Sequence, residues 1–129
     1  MNPGSNPERR APLRVLVVED EMLVAVMLEG MIAELGHQPV GTAAGFDHAL
    51  AMAQRQTFDF AILDVNLDGQ EIYPVAAVLA ARGIPFAFCT GYGQRRLPEP
   101  YRGRPILQKP IQRGDLEKIV SQICASEHG

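Results

Sequence analysis

The sequence has no tryptophan, only two cysteines, no long apolar run and no excess of positive charge. Each shortage excludes something. Cys89 and Cys124 sit inside apolar stretches without metal-ligand spacing, so they read as two buried thiols in a reducing compartment, not a disulfide framework or a zinc site. No stretch approaches the ~20 apolar residues needed to cross a bilayer, so a membrane role is not expected. Twelve Lys and Arg stand against fifteen Asp and Glu, a net charge of −3. That gives neither the basic footprint of a nucleic-acid binder nor a polybasic membrane anchor. Residues 1–12 are rich in Pro, Asn and Arg and lack an apolar signal core. They read as a disordered lead-in, and the protein as cytoplasmic. No internal repeat and no second domain is visible.

What is present is an ordinary globular composition. The 129 residues are 47% hydrophobic and 21% charged, enough for one core without covalent staples. Short apolar runs alternate with helical stripes. Leu13 to Val18 is a β-branched run suited to a strand covered on both faces. Val24, Met27, Leu28, Met31 and Leu35 then recur on one helical face, and Gly36 is a stop signal. Pro39 to Ala43 reads as a weaker strand, and Phe46, Ala49, Leu50 and Ala53 as a second helix. Phe58 to Leu63 is a third strand running into Asp64, and Asp68-Gly69 signals a turn. Ile72, Val75, Ala76 and Leu79 mark a third helix, with Pro74 placed in its first turn and Gly83 at its end. Pro85 to Cys89 and Arg104 to Leu107 are further strands, and Leu116, Ile119, Val120 and Ile123 stripe a last helix. Between Gly91 and Arg104 lie Gly91, Gly93, Pro98 and Pro100 and no apolar stripe, so a helix there is short or replaced by loop. Repeated β-α units imply an α/β fold with a parallel sheet and helices on both faces.

In such a sheet, ligands bind at the carboxyl ends of the strands. Those positions hold Glu19, Asp20 and Glu21 after the first strand and Asp64 with Asn66 after the third. Thr90 follows the fourth, and Lys109-Pro110 the fifth. Crowded carboxylates raise a pKa or recruit a cation, and hard oxygen ligands without His or Cys point to magnesium. A carboxylate beside such an ion can act as a nucleophile toward phosphorus, with a lysine and a hydroxyl for the phosphoryl oxygens. Taken singly, Glu19, Asp20 and Asp64 read equally well as caps or turn residues, Thr90 as a cap, and Lys109 as an ordinary surface lysine. Their joint position at strand ends carries the functional reading.

These motifs, Val17-Val18-Glu19-Asp20-Glu21, Leu63-Asp64-Val65-Asn66-Leu67-Asp68-Gly69, Thr90-Gly91 and Lys109-Pro110, resemble the receiver domain of bacterial two-component response regulators. The likeness runs from Leu13 to Ala125, with a domain expected over 13–126. It implies a five-stranded parallel sheet of flavodoxin-like order 2-1-3-4-5. By that resemblance Asp64 is the phospho-acceptor, and Asp20 is a direct ligand of Mg2+ (or Mn2+). Glu19 holds metal-bound water, and Asn66 offers its backbone carbonyl. Thr90 swings toward the phosphoryl group, Lys109 pairs with its oxygens, and the Lys109-Pro110 bond is cis. The input partner is a histidine kinase or a histidine phosphotransfer protein. The function implied is a signalling switch, not a metabolic enzyme.

Three departures stand out. The position of the usual aromatic switch, three residues before the lysine, is Ile106. The run Phe88-Cys89-Thr90-Gly91-Tyr92 is similar to an alphaproteobacterial subgroup with a Phe-Ala-Thr-Gly-Tyr-like motif, in which the fourth helix is degenerate. There Tyr92 either shares the switch role or simply packs. The first acid of the pair is Glu19 where Asp is commoner. The chain ends about twenty residues after Lys109, so output is expected through binding of a downstream protein. The expected state-dependent surface is Tyr92, Arg95, Arg96, Ile106 and Pro110. A phosphatase of dehalogenase type is disfavoured because Asn66 stands where its general acid would be. A flavin binder is disfavoured because acids replace the phosphate-cradling loop. A receiver with a silent pocket is disfavoured because every pocket residue is present.

Overall fold

A computed structural model describes residues 11–91 and 97–128. The expected lead-in falls almost wholly outside them. The elements run β1 (Arg14–Val18), α1 (Met22–Glu34), β2 (Gln38–Ala43), α2 (Phe46–Arg55), β3 (Phe60–Asp64), β4 (Asn66–Leu67), β5 (Gln70–Glu71), α3 (Tyr73–Arg82), β6 (Phe86–Thr90), a 3-10 turn (Glu99–Tyr101), β7 (Ile106–Gln108) and α4 (Arg113–His128). Five strands form one parallel sheet in the order β2-β1-β3-β6-β7. With the short β4-β5 hairpin set aside, this is the expected 2-1-3-4-5 order.

The continuous apolarity of the central strands has a direct cause: alternate residues serve two cores. Leu16, Val18, Ala61, Leu63, Phe86 and Phe88 face α2 and α3. Val15, Val17, Phe60, Ile62, Ala87, Cys89 and Leu107 face α1 and α4. Successive strand side chains point to opposite faces, so both residue sets must be apolar. Cys89 is buried and its thiol is pushed up to about 12, chiefly by burial, which makes it inert. Cys124 is only half-buried, against the expectation of two buried thiols, because the late part of α4 lies at the rim of its core. Neither cysteine is in a disulfide.

Strand limits shift by one or two residues from the sequence reading. The third strand starts at Phe60, not Phe58, because Asp59 is engaged with β1. Its carboxylate accepts the Arg14 N–H at 2.8 Å, and its own N–H donates to the Arg14 carbonyl at 2.7 Å. Pro74 sits in the first turn of α3, and Gly83 caps that helix in the left-handed region at φ 72. Among the described residues, only the Glu99–Tyr101 turn stands between β6 and β7, where a fourth helix is short or absent as expected. Its anchor is Tyr101, whose ring stacks on Tyr73 and meets Phe88 edge-on, each at 5.8 Å between centroids.

Candidate phosphoryl-transfer site

The chain reverses direction across the sheet after β1, whose neighbours are β2 on one side and β3 on the other. Such a switch point opens a crevice at the strand carboxyl ends. Glu19 and Asp20 follow β1, and Asp64 ends β3. One oxygen from each of these three carboxylates lies within 4.8 Å of the others. The cleft is lined by Asp20, Glu21, Asp64, Asn66, Asp68, Gly69, Gly91 and Lys109.

Lys109 reaches this cluster from the far end of β7. Its Nζ donates to Glu19 Oε2 and Glu21 Oε1, each at 3.3 Å, and to Asp64 Oδ2 at 3.2 Å. Its backbone N–H donates to the Thr90 carbonyl at 2.8 Å, which ties the lysine to the end of β6. The Lys109-Pro110 peptide bond is cis. The other oxygen of the acceptor candidate, Asp64 Oδ1, accepts the Asn66 N–H at 3.2 Å. Asp20 Oδ2 accepts the Asp68 N–H at 3.1 Å. That donor is presented by the β4-β5 hairpin, whose tip residues Asp68 and Gly69 both take positive φ, 53 and 84. A two-residue turn of this hand favours an Asp-Gly pair. Asn66 Oδ1 accepts the Gly69 N–H at 3.0 Å and holds the tip closed.

The electrostatics follow from burial. Glu19 is raised to about 7, first by loss of water around it and also by the charge of Asp64; bonds from the Glu21 N–H and Lys109 oppose the rise. Asp64 is raised by burial, against the pull of the Lys109 charge. Burial alone would lower Lys109, but its bonds and charge contacts with Glu19 and Asp64 outweigh that and raise it. Glu19 Oε1 is buried without a hydrogen-bond donor, although it lies 3.1 Å from the lysine nitrogen. An unsatisfied buried carboxylate oxygen beside two further acids fits a hard divalent cation, and an all-oxygen donor set suits Mg2+ or Mn2+ over zinc.

The structure therefore brings together Glu19, Asp20, Asp64, Asn66 and Lys109. Thr90 is buried at the end of β6, and its neighbour Gly91 lines the cleft. Tyr92, Arg95 and Arg96 lie outside the described residues. Ile106 is 46% exposed and pairs in register with Phe88, and Pro110 is exposed. Two residues of the site carried no role in the sequence reading. Glu21 was visible only as the third acid of a run. Asp68 was visible only as a turn residue, because its contribution is a backbone N–H.

A five-stranded doubly wound sheet with this cluster at its switch point defines a class of phospho-accepting signalling proteins, not of metabolic enzymes. The chain belongs to the response regulator receiver domain family, whose model matches residues 15–121. It is 31% identical over 118 residues to the transcriptional regulatory protein PdtaR of Mycobacterium tuberculosis, covering 88% of this chain and 58% of that protein. It is 32% identical over 115 residues to the phyllosphere-induced regulator PhyR of Methylorubrum extorquens, covering 84% of this chain and 42% of that protein. The chain thus spans about half the length of these curated relatives. The solution structure of SdrG from Sphingomonas melonis is 43% identical, with a TM-score of 0.79 over 88% of this chain and 98% of that one. Receiver domains as a family bind Mg2+ and interact with histidine kinases or phosphotransfer proteins. No helix among the described residues is long and apolar enough to cross a membrane.

Proposed function

We propose that this receiver unit, residues 13–126, accepts a phosphoryl group on Asp64 from the phosphohistidine of a kinase or phosphotransfer protein in the cytoplasm. The observation that carries the reading is the Lys109 ammonium 3.2 Å from Asp64 Oδ2, in a cleft where Glu19 Oε1 is buried without a donor. A divalent cation, Mg2+ or Mn2+, would be held by Glu19, Asp20, Asp64 and the backbone carbonyl of Asn66. Once bound it supplies positive charge for the phosphoryl oxygens.

The remaining chemistry belongs to side chains. An Asp64 carboxylate oxygen forms the new O–P bond as the P–N bond of the donor imidazole breaks. The imidazole leaves with the electron pair and takes a proton from solvent. The transition state carries charge on the phosphoryl oxygens, so positioning and neutralisation dominate. The Asn66 N–H bonded to Asp64 Oδ1 orients the nucleophile. Lys109 gives an N–H to a phosphoryl oxygen, and Thr90 moves toward the group from the end of β6. Output is a change in protein binding, involving Tyr92, Arg95, Arg96, Ile106 and Pro110. PhyR of Bartonella quintana, 26% identical with a TM-score of 0.79, is described as an anti-anti-sigma factor. That likeness and the net charge of −3 support a protein, not nucleic acid, as the downstream target.

The test is labelling with a small-molecule phosphodonor in the presence of Mg2+. Wild type gains one acid-stable, base-labile phosphoryl group, and Asp64→Asn gains none. Equal labelling of the two proteins removes Asp64 as the acceptor.

A further inference from the structure

An ammonium group has three N–H donors. In this structure all three are committed: one to Glu19, one to Glu21 and one to Asp64. A phosphoryl oxygen arriving at Asp64 finds no donor left on Lys109, so one carboxylate must yield. The three are not equivalent. The side chains of Glu19 and Asp64 are 1% and 7% exposed, whereas that of Glu21 is 63% exposed. Stripping a buried carboxylate of its counter-charge is expensive, while an exposed one is rehydrated at once.

The local structure of α1 points the same way. Glu21 is the N-cap residue of that helix, with extended φ −86 and ψ 112, yet its side chain makes no capping hydrogen bond. Ser, Thr, Asp and Asn are the residues that stabilise this position. A glutamate here leaves the helix end uncapped by its side chain and reaches instead to a lysine 88 residues away. Only its backbone serves the acid cluster directly, by donating the Glu21 N–H to Glu19 Oε2 at 3.0 Å. Any side chain at position 21 can supply that bond.

We propose that the Glu21 carboxylate is a displaceable occupant of the phosphoryl-oxygen position on Lys109, which slows phosphorylation until the incoming group expels it. The proposal rests on Asp64 being the acceptor. Glu21 acts through Lys109 and is a positioning residue, not a catalytic one. It sits at the open rim of the cleft, where its charge also repels an anionic donor.

Two variants separate this role from a structural one. Glu21→Gln keeps the length and loses the charge; Glu21→Ser removes the contact and provides a favourable cap. With potassium phosphoramidate at saturating Mg2+, both variants label about two- to fivefold faster than wild type, the range expected for losing one exposed ion pair. The advantage shrinks in high salt, because the competing charge is screened. Beryllofluoride, a phosphoryl mimic, binds both variants more tightly by a similar factor. The denaturation midpoint of Glu21→Ser equals or exceeds that of wild type, so faster labelling does not reflect a loosened fold. A labelled wild type with variants that are no faster, or whose gain ignores salt, overturns this proposal alone. A wild type that takes up no phosphoryl group overturns the Asp64 assignment and this proposal with it.

Discussion

Lys109 Nζ lies 3.2 Å from Asp64 Oδ2 although 45 positions separate the two residues in the chain. The contact exists because β3 and β7 run parallel in one sheet with only β6 between them, so their carboxyl ends open on the same side. Among the described residues, the lysine is the cationic partner of both Glu19 and Asp64.

Removing that partner strands two largely buried acids. Lys109→Ala is expected to cost about 3 kcal/mol of stability at pH 8 without metal, the scale for breaking a buried ion pair on one side. The loss is smaller at pH 5, where Glu19 takes up a proton, and Mg2+ restores part of it at pH 8. Urea denaturation at the two pH values, with and without Mg2+, measures this. An equal loss at both pH values contradicts the assignment of the penalty to Glu19.

The pH dependence of the wild type has a definite sign. Glu19 is raised in the fold from 4.5 to about 7, so between those values the folded state binds more protons than the unfolded one. Stability then falls as pH rises through that window: the contribution is complete below 4.5 and lost above about 7. The metal-free protein is expected to have a denaturation midpoint that declines from pH 5 to pH 7.5. Glu19→Gln flattens the decline, and saturating Mg2+, which binds the ionised form, reverses it. A Glu19→Gln profile as steep as wild type assigns the effect to another group.

Tyr101 fastens the Glu99–Tyr101 turn to the sheet by ring contacts with Tyr73, Phe86 and Phe88. Its hydroxyl bond to the Tyr73 carbonyl is long, 3.5 Å. Tyr101→Ala is therefore expected to cost about 3 kcal/mol, the usual scale for deleting a packed ring, and Tyr101→Phe under about 1 kcal/mol. Thermal denaturation distinguishes the two. A Phe variant as unstable as the Ala variant places the energy in the hydroxyl.

The parallel α/β architecture was legible in the sequence because two-sided burial forces an unbroken apolar run onto each inner strand. Helix α3 was legible to its last residue because Pro74 and Gly83 fit only the positions they occupy. The acids at the strand ends were legible only together: each alone reads equally well as a cap or turn residue, but a parallel sheet brings the carboxyl ends of its strands to one edge. The β4-β5 hairpin was not legible: each arm is two residues long, and only the Asp68-Gly69 turn signal marked it. The half-buried position of Cys124 was not legible either, because periodicity locates a helical face but not where the core beneath it ends.

Local residue chemistry thus determined on its own which segments became the five strands of the parallel sheet and the four helices, and which side chains were too polar to be core. Distance between remote positions was decided only by the folded sheet. The strand order placed three carboxylates around one ammonium, and burial then ranked them, with Glu19 and Asp64 inside and Glu21 at the rim. That ranking depends on how much water each oxygen retains, a property of the packed molecule that no stretch of sequence carries by itself.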